Sequence, residues 1–306
     1  ELFDGLVDAW FIYNEPIMDI FFKYQMGICY PCECDLAKAL TSVYNMCIAH
    51  SEVVRVFKEN GYKGRIGSVL NQSMVYPRSD RKEDLQAKRM YELLSFECFE
   101  YPLLKGEFSN DWLNFASEYC QLPIRAGDDE LIKNNRINFL GINTYTPARV
   151  KARETETKII RIDYAANSFY DHYVWPLRKF NKDRGWEIYP EMIYDLLIRN
   201  RNLYPDVEMM ITENGIGIQN EGRYRNEEGI IDDSYRIDFI KDHLIYLHKA
   251  LSEGANVIGY NVWSFVDLWS PTNQFKNCYG LYEFDLESKK IRKSIKLTIK
   301  TNIFIT

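Results

Sequence analysis

With 306 residues the chain has apolar material for one large domain or two ordinary ones. Charged residues make up 27% and the formal net charge is −6, so no basic field suits nucleic acid, and no apolar run reaches the length of a membrane span. Seven cysteines, an odd number without a small-domain spacing, argue against a disulfide scaffold and for free thiols in a reducing, cytoplasmic setting.

The elements follow in chain order. The opening Glu1-Leu2-Phe3-Asp4 has neither an initiator Met nor a signal-peptide pattern. It reads like the middle of a helix, and the expectation is a start inside a longer protein. Residues 7–13 (VDAWFIY) read as a strand that breaks at Asn14-Glu15-Pro16. The run Cys29, Cys32, Cys34 hints at metal, but no Cys or His pair follows at a zinc-site distance. His50, His172, His243 and His248 are scattered, so no metal or cofactor is expected. A helix is predicted over 35–60, with Leu36, Leu40, Val43, Met46 and Cys47 at helical spacing and Gly61 as its stop.

Residues 65–71 form a second predicted strand, 82–99 a helix and 137–143 (INFLGIN) a third strand. A long, polar, aromatic-rich loop is expected over 144–186. A helix over 189–202 and a strand over 207–212 lead to Glu213-Asn214-Gly215. Asp232 and Asp233 stand where they would cap a helix over 232–254, and 256–263 is the last strand. Strands alternating with helices predict a parallel sheet with right-handed crossovers. There is no Gly-rich dinucleotide turn, and polar residues gather at the strand C-termini, which favours a (β/α)8 barrel, a single domain over 1–306.

Two strands end alike, in Tyr13-Asn14-Glu15-Pro16 and Thr212-Glu213-Asn214-Gly215. A glycosidase needs two carboxyl groups about the scissile bond, one to protonate the leaving oxygen and one ionised to attack. A Glu after a strand also serves as a plain helix cap. Two of them, each in an Asn-bearing turn, point to catalysis.

IYNEP and ITENG resemble the acid/base and nucleophile signatures of family 1 glycoside hydrolases. Further matching segments are YPRSD (76–80), LLKGEF (103–108), INFLGINTYTPARV (137–150), RGWEIYPE (184–191), DDSYRIDFIKDHL (232–244) and GYNVWSFVDLWS (259–270). The resemblance implies a retaining hydrolase of β-linked O-glycosides in which Glu213 is the nucleophile and Glu15 the acid/base. It further implies that Asn14 holds the sugar 2-hydroxyl and that Tyr145, beside Asn143, donates to the nucleophile. Trp263 would be the floor on which the sugar stacks.

The loop after the last strand bears on the substrate. Relatives acting on plain glucosides carry a Glu-Trp pair where this chain has Ser270-Pro271. A carboxylate there would repel a 6-phosphate, whereas a Ser hydroxyl would donate to it. Ser270, Lys276 and Tyr279 resemble the phosphate site of the 6-phospho-β-glycosidases, although Asn277 stands at the lysine position and Lys276 one place early. The expected ligand is a small β-glycoside, in the finer reading a phosphorylated disaccharide. A plain β-glucosidase and a non-catalytic sugar-binding fragment are the alternatives.

Five strands are counted where a closed barrel has eight, so an incomplete barrel of roughly strands 4 to 8 is expected. Such a sheet has two open edges, and the segment alone is expected to be marginal and inactive. Residues 293–306 lack the aromatic helix on which the family ends.

Overall fold

The computed structural model of the chain describes residues 2–154, 169–270 and 273–295. Residues 2–6 form turns, not the stretch of helix expected of the N-terminus. Strand β1 (Ala9–Asn14) runs through Glu15 into α1 (Pro16–Ile20), a π-helical turn (Phe21–Gln25) and a loop. The long α2 (Leu36–Glu59) follows, capped by the Asp35 carboxylate, which accepts from the Lys38 N–H. Next come β2 (Arg65–Asn71), β3 (Val75–Pro77) and α3 (Lys82–Glu92). The helical path does not stop near 99 as predicted. It continues through Leu93–Glu97, α4 (Cys98–Glu100) and Tyr101–Lys105, with Pro102 inside the path where it turns π-helical. Two short helices, α5 (Asn110–Tyr119) and α6 (Asp128–Asn134), lead to β4 (Phe139–Asn143).

The segment read as loop contains two strands, β5 (Ala148–Lys151) and β6 (Asp171–His172). The rest is α7 (Glu191–Leu203), β7 (Glu208–Asn214), β8 (Ile218–Gln219), α8 (Ser234–Ser252), β9 (Val257–Val262), β10 (Asn277–Cys278), β11 (Tyr282–Asp285) and β12 (Lys290–Ile295). Asp233 stands at the N-cap of α8, but its side chain makes no capping bond. Its carboxylate accepts instead from Arg236 Nε at 2.9 Å, because a buried guanidinium is a stronger partner than a backbone N–H.

Strands β1, β2, β4, β7 and β9 form one sheet in that order, every neighbouring pair parallel. Strand β4 is its centre and all five of its residues are buried. Leu140 and Ile142 of β4, with Met209 and Ile211 of β7, pack in one core with Leu40 and Val43 of α2, Leu196 and Leu197 of α7, and Leu247 and Ala250 of α8. Each such aliphatic side chain contributes roughly 1.5–3 kcal/mol by leaving water. The opposite face carries Phe11 and Phe139, whose rings stack at 5.0 Å. A smaller sheet sets β3 parallel to β5 and β5 antiparallel to β6.

Behind the sheet, Glu100 is fully buried but satisfied. It accepts from Arg199 Nη2 at 2.9 Å and from Tyr204 OH at 2.7 Å, and from the Gln72 amide. A buried carboxylate is tolerated only with partners of this kind.

Candidate active site

Asn14, Asn71, Asn143 and Asn214 close β1, β2, β4 and β7, so parallel pairing alone brings four amides to one rim. Register sets Asn71 beside Asn143 and Asn143 beside Glu213. Glu15 follows β1 with φ 50° and ψ 55°, a left-handed conformation that few non-glycine residues adopt. It is held there by its N–H donating to Val69 O at 2.9 Å and its carbonyl accepting from Met18 N at 2.9 Å.

One amide organises both carboxylates. Asn143 Nδ2 donates to Glu15 Oε1 at 2.8 Å and to Asn14 Oδ1 at 3.1 Å, and Asn71 Nδ2 reaches the same Glu15 oxygen at 3.3 Å. Thr212 Oγ1 donates to Asn143 Oδ1 at 2.7 Å, and the Glu15 carboxylate, which only accepts, requires the NH2 end of the amide to face it. Tyr145 OH donates to Glu213 Oε2 at 2.6 Å. Asn214 points away from the rim, donating to Thr144 O and accepting from Tyr260 OH at 2.7 and 2.6 Å; it braces β7 between its neighbours.

Burial raises the Glu213 pKa and the negative charge of Glu15 adds to that, while the hydrogen bonds from Tyr145 and Asn143 pull it down. Tyr145 is pushed well above the ordinary tyrosine value by burial and by Glu213, so it remains a protonated donor. The two carboxylates are thus near enough to feel each other but differently partnered. That asymmetry suits one to nucleophilic attack and the other to proton transfer.

The mouth is built by close approaches that glycine permits. A Cβ on Gly215 would lie 2.2 Å from the Trp263 carbonyl oxygen, and one on Gly217 would lie 2.4 Å from the Tyr279 ring. Trp263 is tied to β7 through its N–H, which donates to Asn214 O at 2.9 Å. The rings of Trp186 and Tyr279 lie 5.5 and 6.2 Å from that of Tyr145. A cavity of about 410 Å³ opens beside them, with Asn71, Tyr145, Trp186, Arg149 and Arg178 in its wall. Arg149 is locked by a two-bond pair with Glu187, at 2.7 and 2.6 Å, amid the rings of Tyr76, Trp175 and Tyr189.

Arg236, fully buried, joins the two loops of the mouth. Its Nη1 donates to Ile216 O at 2.8 Å, in the loop after β7, and to Tyr279 O at 3.0 Å, in the loop after β9. Ser270 sits in a tight turn, with its N–H donating to Gln274 O at 3.0 Å and its carbonyl accepting from Gln274 N at 2.7 Å. Lys276 is exposed and lines a second cavity of about 680 Å³ with Glu221, Arg225 and Asp267; Glu15 and Glu213 lie in the wall of neither cavity. Pro271 lies outside the described residues.

Glu15, Asn14, Asn143, Tyr145, Glu213, Trp263 and Tyr279 are therefore gathered at one rim, while Lys276 stands exposed on the second cavity. Sequence reading missed Asn71, Thr212 and Trp186. The first had a visible signal, since it ends its strand in Asn as its neighbours do. Glu221, Asp267 and Cys278 have potential ligand atoms within 4.8 Å of one another. Glu221 is already engaged by Tyr235 and Arg236, and Asp267 accepts from Gly280 N at 2.8 Å, so these donors serve the protein.

Among the described residues no helix is long and apolar enough to cross a membrane. The glycosyl hydrolase family 1 model matches residues 1–300. The chain is 38% identical over 299 residues to a 6-phospho-beta-glucosidase of Bacillus subtilis, covering 96% of this chain and 64% of that protein. It is 32% identical over 302 residues to a 6-phospho-beta-galactosidase of Clostridium acetobutylicum, with 92% and 62% covered. Among solved structures, the family 1 β-glucosidase of Thermotoga maritima matches with a TM-score of 0.81 at 30% identity, over 94% of this chain and 61% of that one. The chain thus spans less than two thirds of the length of these relatives, and its five parallel strands with their helices are part of a (β/α)8 barrel. The chain belongs to glycosyl hydrolase family 1.

Proposed function

We propose that this chain carries the catalytic pair of a retaining β-glycoside hydrolase acting on 6-phospho-β-glucosides or -galactosides. Glu213 attacks the anomeric carbon while Glu15 gives its proton to the leaving oxygen. Glu15 then takes a proton from water, which displaces the sugar from Glu213. Asn14 holds the 2-hydroxyl, where a hydrogen bond strengthens as positive charge develops on the ring. Trp263 serves as the stacking floor, and Ser270 and Tyr279 receive the phosphate.

The observation that carries this reading is the asymmetry of the pair. Tyr145 donates to Glu213 and the amides of Asn143 and Asn71 to Glu15. A pure binder has no use for two half-buried, mutually repelling carboxylates at one rim. Support for the phosphate comes from Ser270 and from the 6-phospho-glycosidases among the relatives. The reducing setting suggested by the free thiols suits a cytoplasmic enzyme that meets sugars already phosphorylated.

A second reading, a plain β-glucosidase, is favoured by the placement of Lys276 on the other cavity and by a β-glucosidase of Acetivibrio thermocellus that is 30% identical. The test is trapping with 2-fluoro aryl glucosides, with and without the 6-phosphate, read by peptide mapping. Label on Glu213 from the phosphorylated compound, weakened by Ser270→Ala, is expected. Equal labelling by both compounds turns the assignment to the plain glucosidase. Label on another residue refutes the mechanism.

A further inference from the structure

The cysteines divide by environment. Cys47 and Cys98 are buried, and burial holds their thiols well above the ordinary range; Cys120 and Cys278 are partly covered. Cys29 and Cys32 are both exposed, on the loop between the π-helical turn after α1 and the start of α2.

The loop is fixed rather than loose. Ile28 and Cys29 donate their N–H groups to Phe22 O, Glu33 donates to Lys23 O, and Asp35 donates to Tyr24 O at 3.0 Å. Within it Cys32 N–H donates to Cys29 O at 2.6 Å, closing a four-residue turn. The ends of such a turn have Cα atoms less than about 7 Å apart. A disulfide spans Cα atoms about 4.4–6.8 Å apart, so the turn holds the two residues at about the separation that such a bond uses. The third thiol is otherwise engaged, since Cys34 Sγ donates to Gln25 O at 3.3 Å.

We propose that Cys29 and Cys32 form a dithiol site that exchanges with low-molecular-weight disulfides. The Cys29 thiolate attacks one sulfur of the small disulfide, forming a mixed disulfide and releasing one thiolate. The Cys32 thiolate then attacks the Cys29 sulfur, closing the Cys29–Cys32 bond and expelling the second thiolate. Two protein thiols are oxidised, one small disulfide is reduced to two thiols, and the two protons pass to the expelled thiolates. In a reducing compartment the bond is transient, as expected of a redox-responsive pair rather than a structural one.

The test uses the full chain, native, with oxidised glutathione, and reads peptide masses and not turnover. The expected result is a Cys29–Cys32 peptide lighter by two hydrogens, reopened by dithiothreitol, with iodoacetamide labelling of both cysteines lost and then regained. Cys32→Ser should stop at a glutathione adduct on Cys29, and Cys34→Ser should behave as the parent. Separate adducts on Cys29 and Cys32, a bond to Cys34, or labelling unchanged by oxidant would each overturn the proposal.

Discussion

Glu213 lies under opposed influences. Desolvation and Glu15 favour its protonated form, while the Tyr145 hydroxyl and the Asn143 amide favour the carboxylate. As the proposed nucleophile Glu213 must be ionised, so activity should fall as pH drops through its pKa. Tyr145→Phe removes a hydrogen bond to a charged group, of order 1.5–3 kcal/mol. The expected result is a loss of roughly 10- to 100-fold in kcat/KM and an acid limb moved to higher pH. A rate loss with the acid limb unmoved would show that Tyr145 acts by shape alone. The same group bears on stability. A carboxyl whose folded pKa is raised binds its proton more tightly when folded, so its unfavourable contribution appears as pH rises above the unfolded value, about 4.3 for Glu. Glu213→Gln should therefore raise the melting temperature at pH 7, and the gain should vanish near pH 4.

At the level of elements, alternation of strand and helix and the repeated Asn at strand ends were legible, because a buried parallel strand shows as a short apolar run stopped by a polar turn. Strands β5 and β6 were not. They are short, sit in a polar segment, and depend on pairing with β3, which is distant in sequence. The carboxylates were visible from their turns, but Thr212 and Trp186 were hidden by bland contexts, one a strand residue and one a loop aromatic. Asp233 was misread because D-x-x-R at helical spacing also makes an ion pair, and inside the protein the pair wins. The Arg149–Glu187 pair does comparable work for β5, tying it to the segment that carries Trp186. Glu187→Ala leaves a guanidinium with little solvent and no carboxylate. It should destabilise the protein by about 3 kcal/mol in urea unfolding and weaken glycoside binding through Trp186. A loss below about 0.5 kcal/mol would mean that the three aromatic rings hold Arg149 without the carboxylate.

Over the whole molecule, the described sheet is bounded by β1 and β9, whose residues are only half covered, in contrast to β4. Ile258 on β9 is 46% exposed. Unpaired strand edges recruit other strands. The 306-residue chain by itself should therefore associate with rising concentration in sedimentation velocity, and Ile258→Lys should reduce that association; equal behaviour of the two would remove the edge as its cause. Arg236 has a different kind of reach. By holding a carbonyl from each side of the mouth, it makes two segments far apart in the gene into one mechanical part. The loop after β9 cannot drift without dragging the backbone at Ile216, three residues past Glu213. Exchange of the β9 loop between relatives should thus succeed only when the loop brings a carbonyl that the resident arginine can grasp, so new specificity is inherited with its hinge or not at all.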